Sequence, residues 1–182
     1  MPDNESALVE VYLQPGEMFL ARVPTIIRTL LGSCVGVSFW SRRMGIGALC
    51  HAMLPKCPED LQKDISPEVG YRYVDFAIRD LAQKFDALGA HRSEVQVKLF
   101  GGADVLLAGV EGSTRATIGS LNCETALDEL RKEGFRVKAS SLRGNSGLNI
   151  HFNTGTGDVH LRRLKQNSGF ALPPGETGGL SR

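Results

Sequence analysis

The sequence predicts an α+β domain, with hairpin-rich β-sheets and two main helices. Three observations predict it. Apolar residues alternate with a period of two in several short stretches, each bounded by glycine-, proline- or asparagine-containing turns. Two other stretches carry their apolar residues at helical spacing. The strands come in groups around those helices, which disfavours a regular βαβ winding.

The first strand runs through Ala7, Val9 and Val11, or their neighbours Leu8 and Tyr12, and turns at Gln14-Pro15-Gly16. An apolar stretch from Ile26 to Leu31 leads into Gly32-Ser33-Cys34. Val35 to Trp40 is rich in branched and aromatic residues and reads as a strand. Ser41-Arg42-Arg43-Met44-Gly45 turns it, and Ile46 to Met53 returns as the other arm of a hairpin. Lys56 to Pro67 is a polar loop. Ser66-Pro67-Glu68 starts a helix with a hydroxyl cap, a proline at the first position and an acid at the positive end. Val74, Ala77, Ile78, Leu81, Phe85 and Leu88 form its stripe, and Gly89 caps it.

Val95, Val97 and Leu99 alternate next, ending at Phe100-Gly101-Gly102. Gly109 to Gly119 carries no readable pattern. Cys123, Ala126, Leu127 and Leu130 give the second helix, closed by Gly134. Strands follow at Phe135, Val137 and Ala139, at Leu148, Ile150 and Phe152, and at Val159, Leu161 and Leu164. The loop Arg143-Gly144-Asn145-Ser146-Gly147 and the turn Gly155-Thr156-Gly157-Asp158 separate them. Residues 1–168 are expected to form one domain. Gly169 to Arg182, rich in glycine and proline, is expected to be a disordered tail.

Composition narrows the function classes. The 182 residues suffice for one sizeable core. The net charge of +1 lacks the basic excess of a nucleic-acid footprint, and Arg42-Arg43 and Arg162-Arg163 read as solvated turn and strand-end pairs. No apolar stretch approaches the roughly 20 residues of a membrane span. The start, Met1-Pro2-Asp3-Asn4-Glu5-Ser6, is polar and acidic, unlike a secretory signal. Four cysteines in that context read as free thiols in a reducing compartment, so a cytoplasmic location is expected.

The chemistry centres on Cys34 and His51. A lone cysteine beside a strand is ordinarily a small buried hydrophobe. Here the thiol lies where a glycine-containing turn becomes a strand, and the hairpin returns an imidazole towards it. Gly32 and Ser33 lie where backbone N–H groups can meet an oxyanion. Thr29 is placed to orient the ring, although a β-branched residue suits a strand position equally well. Zinc is disfavoured: Cys34, Cys50, His51 and Cys57 contain no Cys-x-x-Cys pair, and adjacent strand residues 50 and 51 face opposite ways. Gly45-Ile46-Gly47 lacks the third glycine of a dinucleotide turn, and no phosphate loop is present. His91 and His160 lie in polar surroundings.

Thr29-Leu30-Leu31-Gly32-Ser33-Cys34-Val35, followed by His51-Ala52-Met53-Leu54-Pro55, resembles the CheD family of chemoreceptor glutamine deamidases. Arg72-Tyr73-Val74-Asp75, Lys98-Leu99-Phe100-Gly101-Gly102-Ala103, Ile118-Gly119 with Asn122, Gly144-Asn145-Ser146-Gly147 and the Phe152-Asn153…Thr156-Gly157 turn extend the likeness from about Val9 to Leu164. The resemblance implies a cysteine amidohydrolase fold, shared distantly with bacterial toxin deamidases, and needs no metal or cofactor. It implies conversion of receptor glutamines to glutamate, with Cys34 as nucleophile and His51 as base; the family's third-group threonine falls at Arg28 here, and Thr29 is the candidate that takes its place. It also implies a CheC-type phosphatase partner and gives Phe100, Gly101 and Gly102 as partner-binding candidates.

Three positions depart from the family pattern: Arg28 where a threonine is frequent, Ser120-Leu121 where Glu-Arg is usual, and Leu148 where an arginine is usual. Arg28 and the lost Glu-Arg pair favour a rival reading, a weakly active or non-catalytic module that regulates the phosphatase. Cys34 alkylation well below the ordinary thiol pKa of about 8.5 would mark the enzyme, and reaction as slow as at Cys123 the binder.

Overall fold

The computed structural model describes residues 8–104 and 116–164. In chain order these form β1 (Val9–Tyr12), β2 (Met18–Ala21), β3 (Thr25–Leu31), β4 (Val35–Ser41), β5 (Ile46–Ala52), α1 (Pro67–Gly70), α2 (Val74–Ala87), β6 (Val95–Gly101), α3 (Ile118–Lys132), β7 (Val137–Leu142), β8 (Leu148–Asn153) and β9 (Val159–Arg163). The fold is α+β with two main helices, as the sequence predicts. The reading of Gly109 to Gly119 lies largely, and the tail from Gly169 wholly, outside the described residues, as does Ala7.

Two sheets divide the strands: β1-β3-β8-β9 and β2-β5-β4-β6-β7. Alternation along β4 and β5 explains the layering. Val35, Val37, Phe39, Ala48, Cys50 and Ala52 pack with Ala77, Ile78, Leu81 and Phe85 of α2 and Cys123, Ala126 and Leu130 of α3. The opposite face meets the smaller sheet. There Trp40 and Leu49 pack against Ile27 and Phe152, and Phe100 packs against Leu31, Leu148 and Ile150. β4 and β5 are buried along their whole lengths because both faces are covered.

Pairing is less hairpin-like than the sequence suggests. β4–β5 and β8–β9 are antiparallel neighbours in the chain, but β1 runs parallel to β3, and β3 pairs with the distant β8. The α3 crossover makes β7 parallel to β6. β2 is a strand the sequence reading missed; its four residues hydrogen-bond β5 at a sheet edge, too short for periodicity to register.

The first predicted helix is split. Pro67 does begin α1, but the Ser66 side chain makes no cap bond, and the chain breaks at residues 71–73 before α2. The break serves β5: the Arg72 carbonyl accepts hydrogen bonds from the Met53 and Leu54 N–H groups at 2.8 and 2.9 Å. α3 begins earlier than its apolar stripe indicates, because Thr117 and Ser120 cap it reciprocally at 3.0 Å.

Candidate active site

The chain leaves the smaller sheet at Leu31 and enters the larger one at Val35, so Gly32-Ser33-Cys34 is the crossing between sheets. All three carbonyls of this turn point into the protein. Gly32 O accepts from the Ala103 N–H at 2.9 Å, Ser33 O from the Asn122 amide at 2.9 Å, and Cys34 O from the Gly102 N–H at 2.8 Å. Gly101 and Gly102 have φ of 99° and 68°, and a Cβ on either would collide, with Cys34 O and Cys123 Sγ respectively. Phe100 is 2% exposed, and both glycines are buried. The Phe-Gly-Gly segment is therefore the floor beneath the Cys34 turn.

Cys34 is half-buried, whereas Cys50, Cys57 and Cys123 are buried. Burial pushes its thiol above the ordinary value, and its own backbone N–H opposes this only in part. The resting sulfur is a thiol. The depressed pKa that sequence reasoning would associate with an activated cysteine is not what this environment produces.

His51 pairs with Gly36 across the β4–β5 hairpin, and Val35 pairs with Ala52, so the hairpin brings His51 to the Cys34 end of β4. By alternation His51 faces the interval between the sheets, where it is 1% exposed. The Thr29 hydroxyl lies 2.8 Å from His51 Nδ1 and donates to the Leu13 carbonyl at 2.9 Å. A hydroxyl has one proton, and a carbonyl can only accept. Thr29 must therefore accept from Nδ1–H, which leaves the lone pair on Nε2.

Burial lowers the His51 pKa to about 4, with the Leu13 carbonyl and the Glu17 carboxylate acting in the opposite sense. The ring is thus a neutral base with a defined tautomer. Nε2 is buried and makes no hydrogen bond, to Cys34 or to any other described group. Such pairs frequently tighten only when substrate is bound.

Asn122 was not singled out as a site residue from the sequence. It is 0% exposed, and its amide donates to Ser33 O at 2.9 Å and Met53 O at 3.0 Å, while its Oδ1 is buried without a partner among the described residues. An unpartnered buried acceptor costs about 1–3 kcal/mol. A signal for it existed: Gly119, Asn122, Cys123, Ala126 and Leu130 share one buried stripe, and an asparagine in phase with such a stripe needs partners.

The departures have local explanations. Arg28 alternates with Thr29 on β3, so it points away from His51 and pairs with Glu10 at 2.7 Å. Ser120 completes the α3 cap. Leu148 is a core residue beside Phe100.

Comparison with known proteins identifies the setting. A family model described as CheD chemotactic sensory transduction matches residues 53–163. A protein of Maridesulfovibrio salexigens named "Probable chemoreceptor glutamine deamidase CheD" is 39% identical over 92% of this chain and 99% of its own length. The chain belongs to the CheD family. A CheD protein of Geobacter sulfurreducens is 40% identical over 91% of this chain and 97% of its own, and one of Methanococcus maripaludis 35% over 81% and 91%. The CheD family model itself begins after His51. The alignment to the Maridesulfovibrio CheD leaves too little of the chain outside to exclude Thr29, Cys34 or His51. Among the described residues no helix is long and apolar enough to cross a membrane.

Proposed function

We propose that this chain deamidates glutamine side chains of chemoreceptors, releasing ammonia and leaving glutamate. The observation that carries the reading is the Thr29–His51 bond: with the hydroxyl proton committed to Leu13, the ring keeps a free Nε2 lone pair at the thiol end of the hairpin. The names of the relatives supply the substrate class.

The steps follow from these groups. Nε2 takes the Cys34 proton as sulfur attacks the glutamine side-chain carbonyl carbon. Because burial disfavours a resting thiolate, proton transfer accompanies attack. The N–H groups of the Gly32–Cys34 turn, beside the nucleophile, are the donors for the tetrahedral oxyanion in this scheme. Each such donor is worth roughly 3 kcal/mol. The imidazolium returns its proton to the departing nitrogen, the carbon–nitrogen bond breaks, and ammonia leaves a thioester. Water, deprotonated by Nε2, then cleaves the carbon–sulfur bond, giving glutamate and the thiol. Cys34 and His51 are catalytic in this scheme; Thr29 acts through the ring as a positioning residue.

Association with a CheC-type phosphatase and a cytoplasmic location belong to the same reading. A second reading, a weakly active module that regulates such a phosphatase, draws on the missing Cys34–Nε2 hydrogen bond and the raised thiol. Ammonia release from a glutamine-bearing receptor cytoplasmic fragment separates the two. The enzyme reading expects turnover that Cys34→Ala abolishes while fragment binding persists. Full turnover in that variant, or none in the unaltered protein, overturns it.

A further inference from the structure

We infer that Asn122 is the positioning residue that fixes the distance between nucleophile and base, an inference resting on the deamidase reading above. The thiol and the imidazole lie on different segments. Cys34 ends a turn between two sheets, and His51 lies near the end of β5, beyond which the chain leaves the sheet. Hairpin register alone aligns Gly36 with His51; it does not hold the turn, which precedes the first paired residue, Val35.

Asn122 spans that gap from α3. One carboxamide nitrogen donates to Ser33 O, the carbonyl immediately before Cys34, and to Met53 O, two residues beyond His51, at 2.9 and 3.0 Å. Two carbonyl acceptors require the nitrogen at that end, so the amide orientation follows from its partners. Both protons are used, and Oδ1 is left buried with no partner among the described residues as the consequence. An apolar residue would fill the same place on the stripe of α3 without that penalty, but it would remove the one group that ties the two segments to each other, leaving Ser33 O and Met53 O without their shared donor.

Asn122→Asp tests this. The replacement is nearly isosteric, and its ionised form donates nothing to either carbonyl. Three readouts are taken on the full chain: ammonia release from a receptor fragment, Cys34 alkylation by iodoacetamide, and that alkylation again with His51→Ala added. The unaltered protein should show alkylation that slows when His51 is removed. Asn122→Asp should lower kcat about 100-fold with little change in KM, as a misplacement of about 1 Å does. It should also abolish the dependence of alkylation on His51, and its activity should recover in part as falling pH protonates the new carboxyl and restores one donor.

A merely structural role would lower stability without moving the His51 dependence or the pH profile. Unchanged kcat, or alkylation still dependent on His51, overturns the inference. If the unaltered protein itself releases no ammonia, the deamidase reading fails instead. Should Asn122→Asp not fold, Asn122→Ser, uncharged and able to reach one carbonyl at most, is judged by the kcat and alkylation criteria.

Discussion

At the scale of single residues, the site depends on where one proton lies. Thr29 gives its hydroxyl proton to Leu13 and thereby dictates which His51 nitrogen is free. Thr29→Val keeps shape and branching but removes both bonds. The ring can then exchange tautomers, and kcat should fall about 100-fold, within the range for general-base catalysis. Thr29→Ser should retain most activity. Ammonia release by the two variants is the check, and equal rates for valine and threonine would refute the assignment. Cys34 and His51 were legible in the sequence because a thiol after a glycine turn and an imidazole on the returning strand are an unusual pair. The Thr29 contact was legible only as a possibility of position. Nothing in the sequence tells that Leu13, from a separate segment, takes the hydroxyl proton.

At the scale of elements, the turn between the sheets is supported from below by the end of β6. Gly102 donates to Cys34 O, adopts φ of 68°, and has no room for a Cβ beside Cys123 Sγ and Gly119 O. Gly102→Ala should cost about 3 kcal/mol, from left-handed strain and overpacking together. The loss would appear as a lower urea midpoint with m unchanged. Cys34 alkylation should change in the same variant, because its carbonyl loses a fixed donor. The family resemblance gave Phe100-Gly101-Gly102 as partner-binding candidates on a motif that is weak by itself. Their burial beneath the turn follows from packing between α3 and two strands, which glycine spacing does not encode. β2 and the break before α2 were invisible for a similar reason. A four-residue edge strand has too few periods to read, and the break arises because the Arg72 carbonyl takes the N–H groups at the end of β5.

At the scale of the whole molecule, a neutral imidazole between two sheets links pH to stability. The folded-state pKa of about 4 lies below the ordinary value of 6.5, so between those values the unfolded chain binds more protons. Stability is therefore lost as pH falls from about 6.5 to about 4, by about 3 kcal/mol from this residue, with no further loss from it below. Urea unfolding from pH 7 to 4 should show that slope, and His51→Gln should be flatter than the unaltered chain across the same window. Identical slopes would mean that the ring is not held neutral.

Local alternation, helical stripes and turn chemistry are properties of neighbouring residues, and from them the sequence alone determined the α+β class, both main helices and most strands, and singled out Cys34 and His51 as candidates on a turn and the strand that returns beside it. Three matters were decided only by tertiary structure: β1 beside β3, the tautomer of His51, and the Asn122 clasp between Ser33 and Met53. Each joins segments far apart in the chain, where the choice of partner rests on which buried donors and acceptors the packed layers bring together.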